Sequence, residues 1–426
     1  MTTPALTPLT GAGPAASIRP AMVLRLLAGR GAFRLAIQVM GVVLIAAWGK
    51  GDYGRYASAL GLTTWLNFVP TAAEKSALKI IPRTRLTRDA VAGLAVRIAG
   101  VPVLAVLAAL VVALVVAPRS EAALYLAAAA WSISGGMLMT SSGLHRLRGR
   151  SGRDAAAFTA GALLVGLATV ATWSVRWSPT AHLMLLLGGL LVILGCSMAA
   201  QPRAWLRGER LDGHRLFPAF ARTTVLLGMT ELLDVLAVSA VFGVLALTGQ
   251  TVESGPFYLA LMASSAFCSL LFYQLRLHQP GASHRLRGTG AAAGLVRAAG
   301  LMRLIERAGL AFTIVIALAL AVPTTRDVLS EKDTLAAYVT LGALVLFETV
   351  LYAIALYAGY LVENTNSKVL TLTSSSAVVA LVVTIAIAAL AVPVLGPIGG
   401  FVALILGIAA KSFALRRLLP RRPLGS

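Results

Sequence analysis

The feature that most restricts how this chain can fold is the recurrence of apolar runs of about 20 residues, separated by short polar connectors, along nearly its whole length. At 1.5 Å per residue a helix of about 20 residues crosses the ~30 Å hydrocarbon layer of a bilayer. No water reaches backbone N–H and C=O groups inside that layer, so only helices and closed barrels span it. A barrel would show alternating polarity in strands of about ten residues, whereas the runs here are continuously apolar. The chain therefore reads as an all-α, polytopic membrane protein. With 58% hydrophobic and 12% charged residues over 426 positions, it is too apolar for an ordinary soluble domain.

Twelve spans are expected, near residues 26–48, 56–80, 98–117, 122–144, 155–175, 181–201, 217–247, 255–277, 304–323, 334–359, 369–392 and 397–415. The net charge of +21 sits in short clusters between spans and not on a separate basic domain, so nucleic acid is not an expected partner and the charge is a topology signal. Alternate connectors carry Arg83, Arg85 and Arg88, then Arg146, Arg148, Arg150 and Arg153, then Arg203, Arg207, Arg210 and Arg215, then Arg285, Arg287 and Arg297. The C-terminal tail adds Arg416, Arg417, Arg421 and Arg422, while the other connectors hold few cations, among them Lys50, Arg55, Arg119 and Arg176. The positive-inside rule then places both termini in the cytoplasm and requires an even number of spans. Most of these arginines are expected to anchor to anionic lipid. Residues 1–20, rich in Pro, Thr, Ala and Gly, are expected to form a disordered cytoplasmic tail; they lack the pattern of a cleavable signal peptide. Trp48, Tyr53 and Tyr56, and Trp173 and Trp177, are expected to mark the outer interface.

The residue types present favour no catalytic chemistry. Cys196 and Cys268 fall inside apolar runs, where buried thiols are expected and not a disulfide or a metal pair. The five histidines show no metal spacing, no phosphate-binding GxxxxGK[ST] loop occurs, and the short connectors leave no room for an extracellular catalytic loop. Neither an enzymatic activity nor a metal or cofactor is expected.

The chain divides into two halves of six spans, an N-terminal lobe over residues 21–215 and a C-terminal lobe over residues 216–420. In the first, the entry helix carries Arg34 and leads into a stretch containing Gly51, Tyr53, Gly54, Tyr56 and Ala57. In the second, the entry helix carries Arg222 at similar depth and leads into Gly255, Tyr258 and Ala260. Recurrence at one topological place is how internal repeats in transporters show themselves. Two such lobes would rock about a cavity between them.

Within span 7, Glu231 and Asp234 lie three residues apart, on one helical face. An acid at the centre of a membrane helix costs on the order of 2.5–3.5 kcal/mol, so that face is expected to line a cavity or, alternatively, to be tied into a hydrogen-bond network with neighbouring helices. Arg34, Lys75 and Arg222 are expected to ring the inner mouth of the cavity, where guanidinium forks suit phosphate. Lys75 has a second reading as the ion-pair partner of Glu74 or another acid. Arg30, Lys79 and Arg303 are expected to snorkel to headgroups. Glu231, Asp234 and Glu348 are the candidates for taking up a proton or cation, with a structural hydrogen bond as the other reading of Glu348. Hydroxyls at Ser132, Ser134, Thr140, Ser141 and Ser142, and at Ser374, Ser375 and Ser376, are expected to glue helices together.

The run Gly31-Ala32-Phe33-Arg34 through Lys50-Gly51-Asp52-Tyr53-Gly54-Arg55-Tyr56, followed by Glu74-Lys75 and Ile81-Pro82-Arg83, resembles the opening of polysaccharide-transporter flippases. The closing run Val394-Leu395-Gly396-Pro397-Ile398-Gly399-Gly400-Phe401-Val402-Ala403 is similar to that family's last connector and helix. These are Wzx-like members of the multidrug, oligosaccharidyl-lipid and polysaccharide exporter superfamily. The resemblance implies movement of a polyprenyl-diphosphate-linked oligosaccharide or related glycolipid across a bacterial plasma membrane by alternating access, for cell-surface polysaccharide. It implies by analogy that basic cavity residues hold the diphosphate, that a proton or sodium gradient drives the cycle, and that a glycan polymerase or glycosyltransferases are partners. Where relatives often have an acid followed directly by a basic residue in span 7, Asp234 is followed by Val235. Two other readings are a cation-coupled antiporter of drugs or metabolites, which wants an acidic and aromatic cavity, and a non-transporting membrane scaffold for glycan-assembly enzymes.

Overall fold

The computed structural model describes residues 20–81, 87–207, 213–286, 289–330, 334–365 and 370–419, and all regular structure among them is helical. Residues 1–19 of the expected tail, and Arg83, Arg85, Arg210, Arg287, Arg421 and Arg422, lie outside the described residues. The N-terminal half contains α1 (Pro20–Thr63), α2 (Phe68–Ile80), α3 (Arg88–Val116), α4 (Glu121–Leu147), α5 (Ser151–Val175), α6 (Pro179–Ala199) and the short α7 (Arg203–Arg207). The C-terminal half contains α8 (Gly213–Leu247), α9 (Ser254–Arg285), α10 (Thr289–Ala321), the short α11 (Pro323–Ser330), α12 (Leu335–Thr365), α13 (Leu370–Leu395) and α14 (Pro397–Leu418).

Among the described residues eleven apolar helical segments are long enough to cross a membrane, and the first, Ala28–Ile80, is 53 residues long. A straight helix of that length would run to about 80 Å, far beyond a ~30 Å layer. It is folded back at Gly49, whose φ of 77° and ψ of 175° a side chain would resist. The two limbs supply two crossings, so the segments make twelve. The returning limb is interrupted by a 3-10 turn over Thr64–Asn67 before α2 begins. Pro70 explains the break, since its ring would clash with the carbonyl of Leu66 four residues back. The sequence reading of one continuous span over 56–80 missed it. Elsewhere the helices outrun the expected spans: α10 starts at Thr289, well before residue 304, because an alanine-rich stretch without proline continues as helix past the apolar boundary.

The packing repeats with an offset of six crossings. Helix α1 lies along α5 as α8 lies along α13; α3 and α4 pair as α10 and α12 do; α4 and α6 pair as α12 and α14 do. One core joins Leu44, Tyr53, Tyr56, Leu183 and Leu186 in the N-terminal lobe, and another joins Val241, Phe257, Leu344, Phe401 and Ile405 in the C-terminal lobe. Exposed apolar residues lie on the outward faces, such as Leu104, Val111 and Val115 on α3 and Leu310, Ile314 and Leu318 on α10. In hydrocarbon these carry no exposure penalty.

Two expectations are corrected. Tyr53 and Tyr56 are fully buried and form no interfacial belt; the Tyr56 ring meets Trp48 and His182 edge to face, because the hairpin at Gly49 turns this limb inward. Cys196 is exposed on the outward side of α6, whereas Cys268 is buried. The polar stripe of α4 is helix glue in the main: Thr140 donates to the Pro70 carbonyl at 2.9 Å, and Ser141 lies 2.7 Å from the Ser197 hydroxyl.

The lobes meet along α1 with α9 and α2 with α8. Toward one face Gly54 rests on the Thr251–Val252 backbone, and at mid-depth the Ser239 hydroxyl donates to the Gly61 carbonyl at 2.8 Å. Toward the face where the chain enters and leaves the bundle, here the termini side, a Cβ at Gly228 would lie 2.3 Å from Cβ of Ala72. Gly228→Val should therefore hold the lobes apart on the termini side and speed hydrogen exchange over 70–80. Unchanged exchange in the folded variant would refute this tight approach.

Candidate functional site

Where α2 passes the C-terminal lobe, eight charged side chains form one connected set. Glu74 and Lys75, adjacent in sequence, point about 100° apart around the helix and so reach different neighbours. Arg146 of α4 donates to Glu74 Oε1 at 2.5 Å, and Arg276 of α9 donates to Glu74 Oε2 at 2.6 Å. The other arm of the Arg276 fork donates to Glu231 Oε2 of α8 at 2.9 Å. Lys75 Nζ donates to Glu231 Oε1 and to Glu363 Oε2 of α12, both at 2.8 Å, and to the Leu227 carbonyl at 3.2 Å. On the other flank Asp154 of α5 accepts from Arg30 at 3.2 Å and lies 3.3 Å from Arg146 Nε, a charge contact without hydrogen-bond geometry.

Tyr273 of α9 completes the set. Its hydroxyl donates to Asp154 Oδ2 at 3.3 Å, and its ring lies 4.0 Å from the Arg30 guanidinium, whose other side faces Phe158 at 4.2 Å. Arg30 is thus clamped between rings from the two lobes and does not snorkel, because a carboxylate and two π faces are within its reach. All eight charges are buried or nearly so; the side chains of Glu74 and Asp154 are 2% and 0% exposed.

Counted together, Arg30, Lys75, Arg146 and Arg276 balance Glu74, Asp154, Glu231 and Glu363. A neutral, fully connected set is what burial in low dielectric demands, since one uncompensated ion costs several kcal/mol. Such pairs contribute little net stability but fix register strongly. Five of the eight residues are on the N-terminal lobe and three on the other, so the set is a lock that holds the lobes in one relative position.

The residues anticipated from sequence are placed as follows. Lys75 and Glu231 come together inside the lock. Arg34 is half-buried on α1, one turn beyond Arg30, and Arg222 is exposed on α8; neither joins an ion pair among the described residues. Glu231 and Asp234 do not share a cavity, for Asp234 turns to Lys411 of α14, at 2.6 and 2.7 Å from its two oxygens, within the C-terminal lobe. Both acids are therefore tied to neighbouring helices. Glu348 accepts a hydrogen bond from the Ser264 hydroxyl at 2.6 Å and has no cation among the ion pairs of the described residues. Two small recesses are formed among the described residues. One is lined by Lys50, Val252, Pro256 and Tyr338 and the other, inside the C-terminal lobe, by Thr230, Thr373, Lys411 and Ser412.

Sequence reasoning missed Arg276, Glu363, Asp154 and Tyr273, and took Arg146 for a lipid anchor. The available signal was acid placement: Glu74 and Asp154 stand at span ends that lead into arginine-bearing connectors, and Glu363 at a span end five residues before Lys368.

No family model and no curated protein matches the chain. Solved structures do. An outward-facing multidrug resistance MATE family transporter of the MOP superfamily superimposes with a TM-score of 0.58 at 14% identity, over 92% of this chain and 93% of that one. The lipid II flippase MurJ in an inward closed conformation gives 0.56 at 13% identity, over 93% and 86%. A mutant of the Vibrio cholerae MATE transporter VcmN gives 0.52 at 14% identity, over 93% and 94%. The chain thus has the fold of MATE and MOP superfamily transporters.

Proposed function

We propose that this protein is a flippase that moves a polyprenyl-diphosphate-linked oligosaccharide or related glycolipid across a bacterial plasma membrane by alternating access, with the charged lock as its cytoplasmic gate. The observation that carries this reading is that the lobes are joined on the termini side by salt bridges and not by apolar packing alone. A gate of ion pairs opens when another anion takes over the cations, and a diphosphate offers the acceptor oxygens that guanidinium and ammonium groups prefer. The arginine-rich connectors assign that side to the cytoplasm, where such a substrate would be made. On this reading Lys75 meets the diphosphate at the gate, and Arg34 and Arg222 flank its path. Glu348, buried with a hydroxyl but no cation, is the best placed of the three candidate carboxylates to exchange a proton or sodium. The antiporter alternative wants free acids facing a cavity, and here Glu231 and Asp234 are held by cations.

The test is reconstitution of the purified chain into vesicles with a fluorescent polyprenyl-diphosphate saccharide. The wild-type protein should deliver it to the opposite leaflet, and Arg34→Ala or Arg222→Ala should slow delivery about tenfold or more, the size of one lost charge-assisted contact. Full activity in both variants removes their diphosphate role. Transport of a cationic drug with none of the lipid establishes the antiporter instead.

A further inference from the structure

Separating the lobes breaks the lock unequally. Within the N-terminal lobe the Arg30–Asp154, Arg146–Asp154 and Arg146–Glu74 contacts survive, since all four residues belong to that lobe. Within the C-terminal lobe Arg276 keeps Glu231. Among the described residues, the groups that lose every ionic partner are Lys75, parted from Glu231 and Glu363, and Glu363, parted from Lys75. The charge balance agrees. The N-terminal set has three cations against two carboxylates and the C-terminal set one against two, so opening leaves one unmatched positive charge facing one unmatched negative charge.

We propose that Lys75 is an entry site for a phosphate group and that Glu363 is its built-in competitor, an internal carboxylate that occupies the site whenever the lobes are closed. This rests on the alternating-access reading above, in which Lys75 meets the diphosphate, and adds to it which carboxylate must yield. The arrangement suits the exchange. Lys75 Nζ has three protons, spent on Glu231, Glu363 and the Leu227 carbonyl. Of the two carboxylates, Glu231 also holds Arg276 while Glu363 has no second ionic partner among the described residues, so Glu363 is the one displaced at least cost. A phosphate oxygen arriving at Lys75 and the departure of Glu363 are then one event, and the lock reforms once the phosphate moves on.

The charged groups about Glu363 are Lys75 of α2, Glu231 of α8 and Arg276 of α9; on α10, Arg297 lies over the Tyr357 ring of α12, and the Glu306–Arg416 pair joins α10 to α14. Of these Lys75 alone is in contact with it, so the competition is between two groups.

The experiment uses the full chain in lipid nanodiscs with two probes, inorganic pyrophosphate and a short-chain polyprenyl diphosphate, and reads hydrogen exchange over 70–80 and 270–278 as the measure of opening. Glu363→Gln should bind pyrophosphate about tenfold or more tightly than wild type at neutral pH, because less of the protein is held closed, and should exchange faster over both segments without any anion. Lys75→Met should exchange as fast as Glu363→Gln yet bind neither probe, which separates loss of the site from loss of the lock. Equal affinity of Glu363→Gln and wild type, or unchanged exchange, overturns the proposal. Tighter binding of free pyrophosphate with none of the lipid would uphold the entry site and refute the flippase reading.

Discussion

Arg276→Met should shift the protein out of its closed arrangement and bring transport to background. Arg276 is the arginine of the lock whose two arms go to different lobes, to Glu74 across the interface and to Glu231 beside it. Methionine keeps much of the aliphatic stem and removes the charge, so the packing against Phe272, now 4.2 Å from the guanidinium, is largely kept. Removing one member of a buried ion pair costs about 3–5 kcal/mol. The lower end applies, because Glu74 retains Arg146 and Glu231 retains Lys75. About 3 kcal/mol changes the ratio of open to closed molecules by roughly two orders of magnitude. Spin labels at the exposed positions Arg150 and His278, in a background with Cys196 and Cys268 replaced, would report the change as a second, longer distance. Arg276→Lys should give a milder effect, since an ammonium keeps the charge but not the planar two-armed reach. A single unchanged distance in the methionine variant would show that apolar contacts alone keep the lobes together.

How much of this was legible beforehand depends on the kind of signal. The all-helical membrane-spanning architecture was readable because the bilayer imposes a length on every apolar run, and because the runs here are long and apolar, as from Val101 to Val116 or from Val378 to Leu390. The break before α2 was readable in principle from Pro70, but a single proline near the end of an apolar run is tolerated in membranes without a fixed outcome. The lock was only half visible. Glu231 announced itself by lying in apolar sequence, and Lys75 by standing next to Glu74. Arg146 and Arg276 did not, because an arginine at the end of a span looks the same in sequence whether it faces a headgroup or a carboxylate 72 or 202 positions away. Arg146 reaches Glu74 through packing within the N-terminal lobe and Arg276 reaches it through lobe-to-lobe docking, and no local period encodes either.

The divergence of Glu231 and Asp234 has the same origin, and it yields the second large effect. Lys411→Met should destabilise the C-terminal lobe by about 3–5 kcal/mol, because it leaves Asp234 without its cation in a site where each side chain of the pair is 15% exposed. The loss is measurable as earlier thermal unfolding in detergent. Asp234→Asn combined with Lys411→Met should recover most of that stability, since removing both charges of a buried pair also removes both desolvation penalties. Thr230 and Thr373, whose hydroxyls lie 3.3 Å apart between α8 and α13, are untouched by either change and keep the helices in register. The double variant then separates two roles that the single variant confounds. If the pair only ties α8 to α14, the double variant is stable and transports at the wild-type rate. If Asp234 must release Lys411 to take a proton or sodium during the cycle, the double variant is equally stable but transports without dependence on the ion gradient, or not at all. Stability and flux measured on one protein thus distinguish a strut from a coupling site, and recovery of neither would mean that the α8–α14 contact is held by something other than this ion pair.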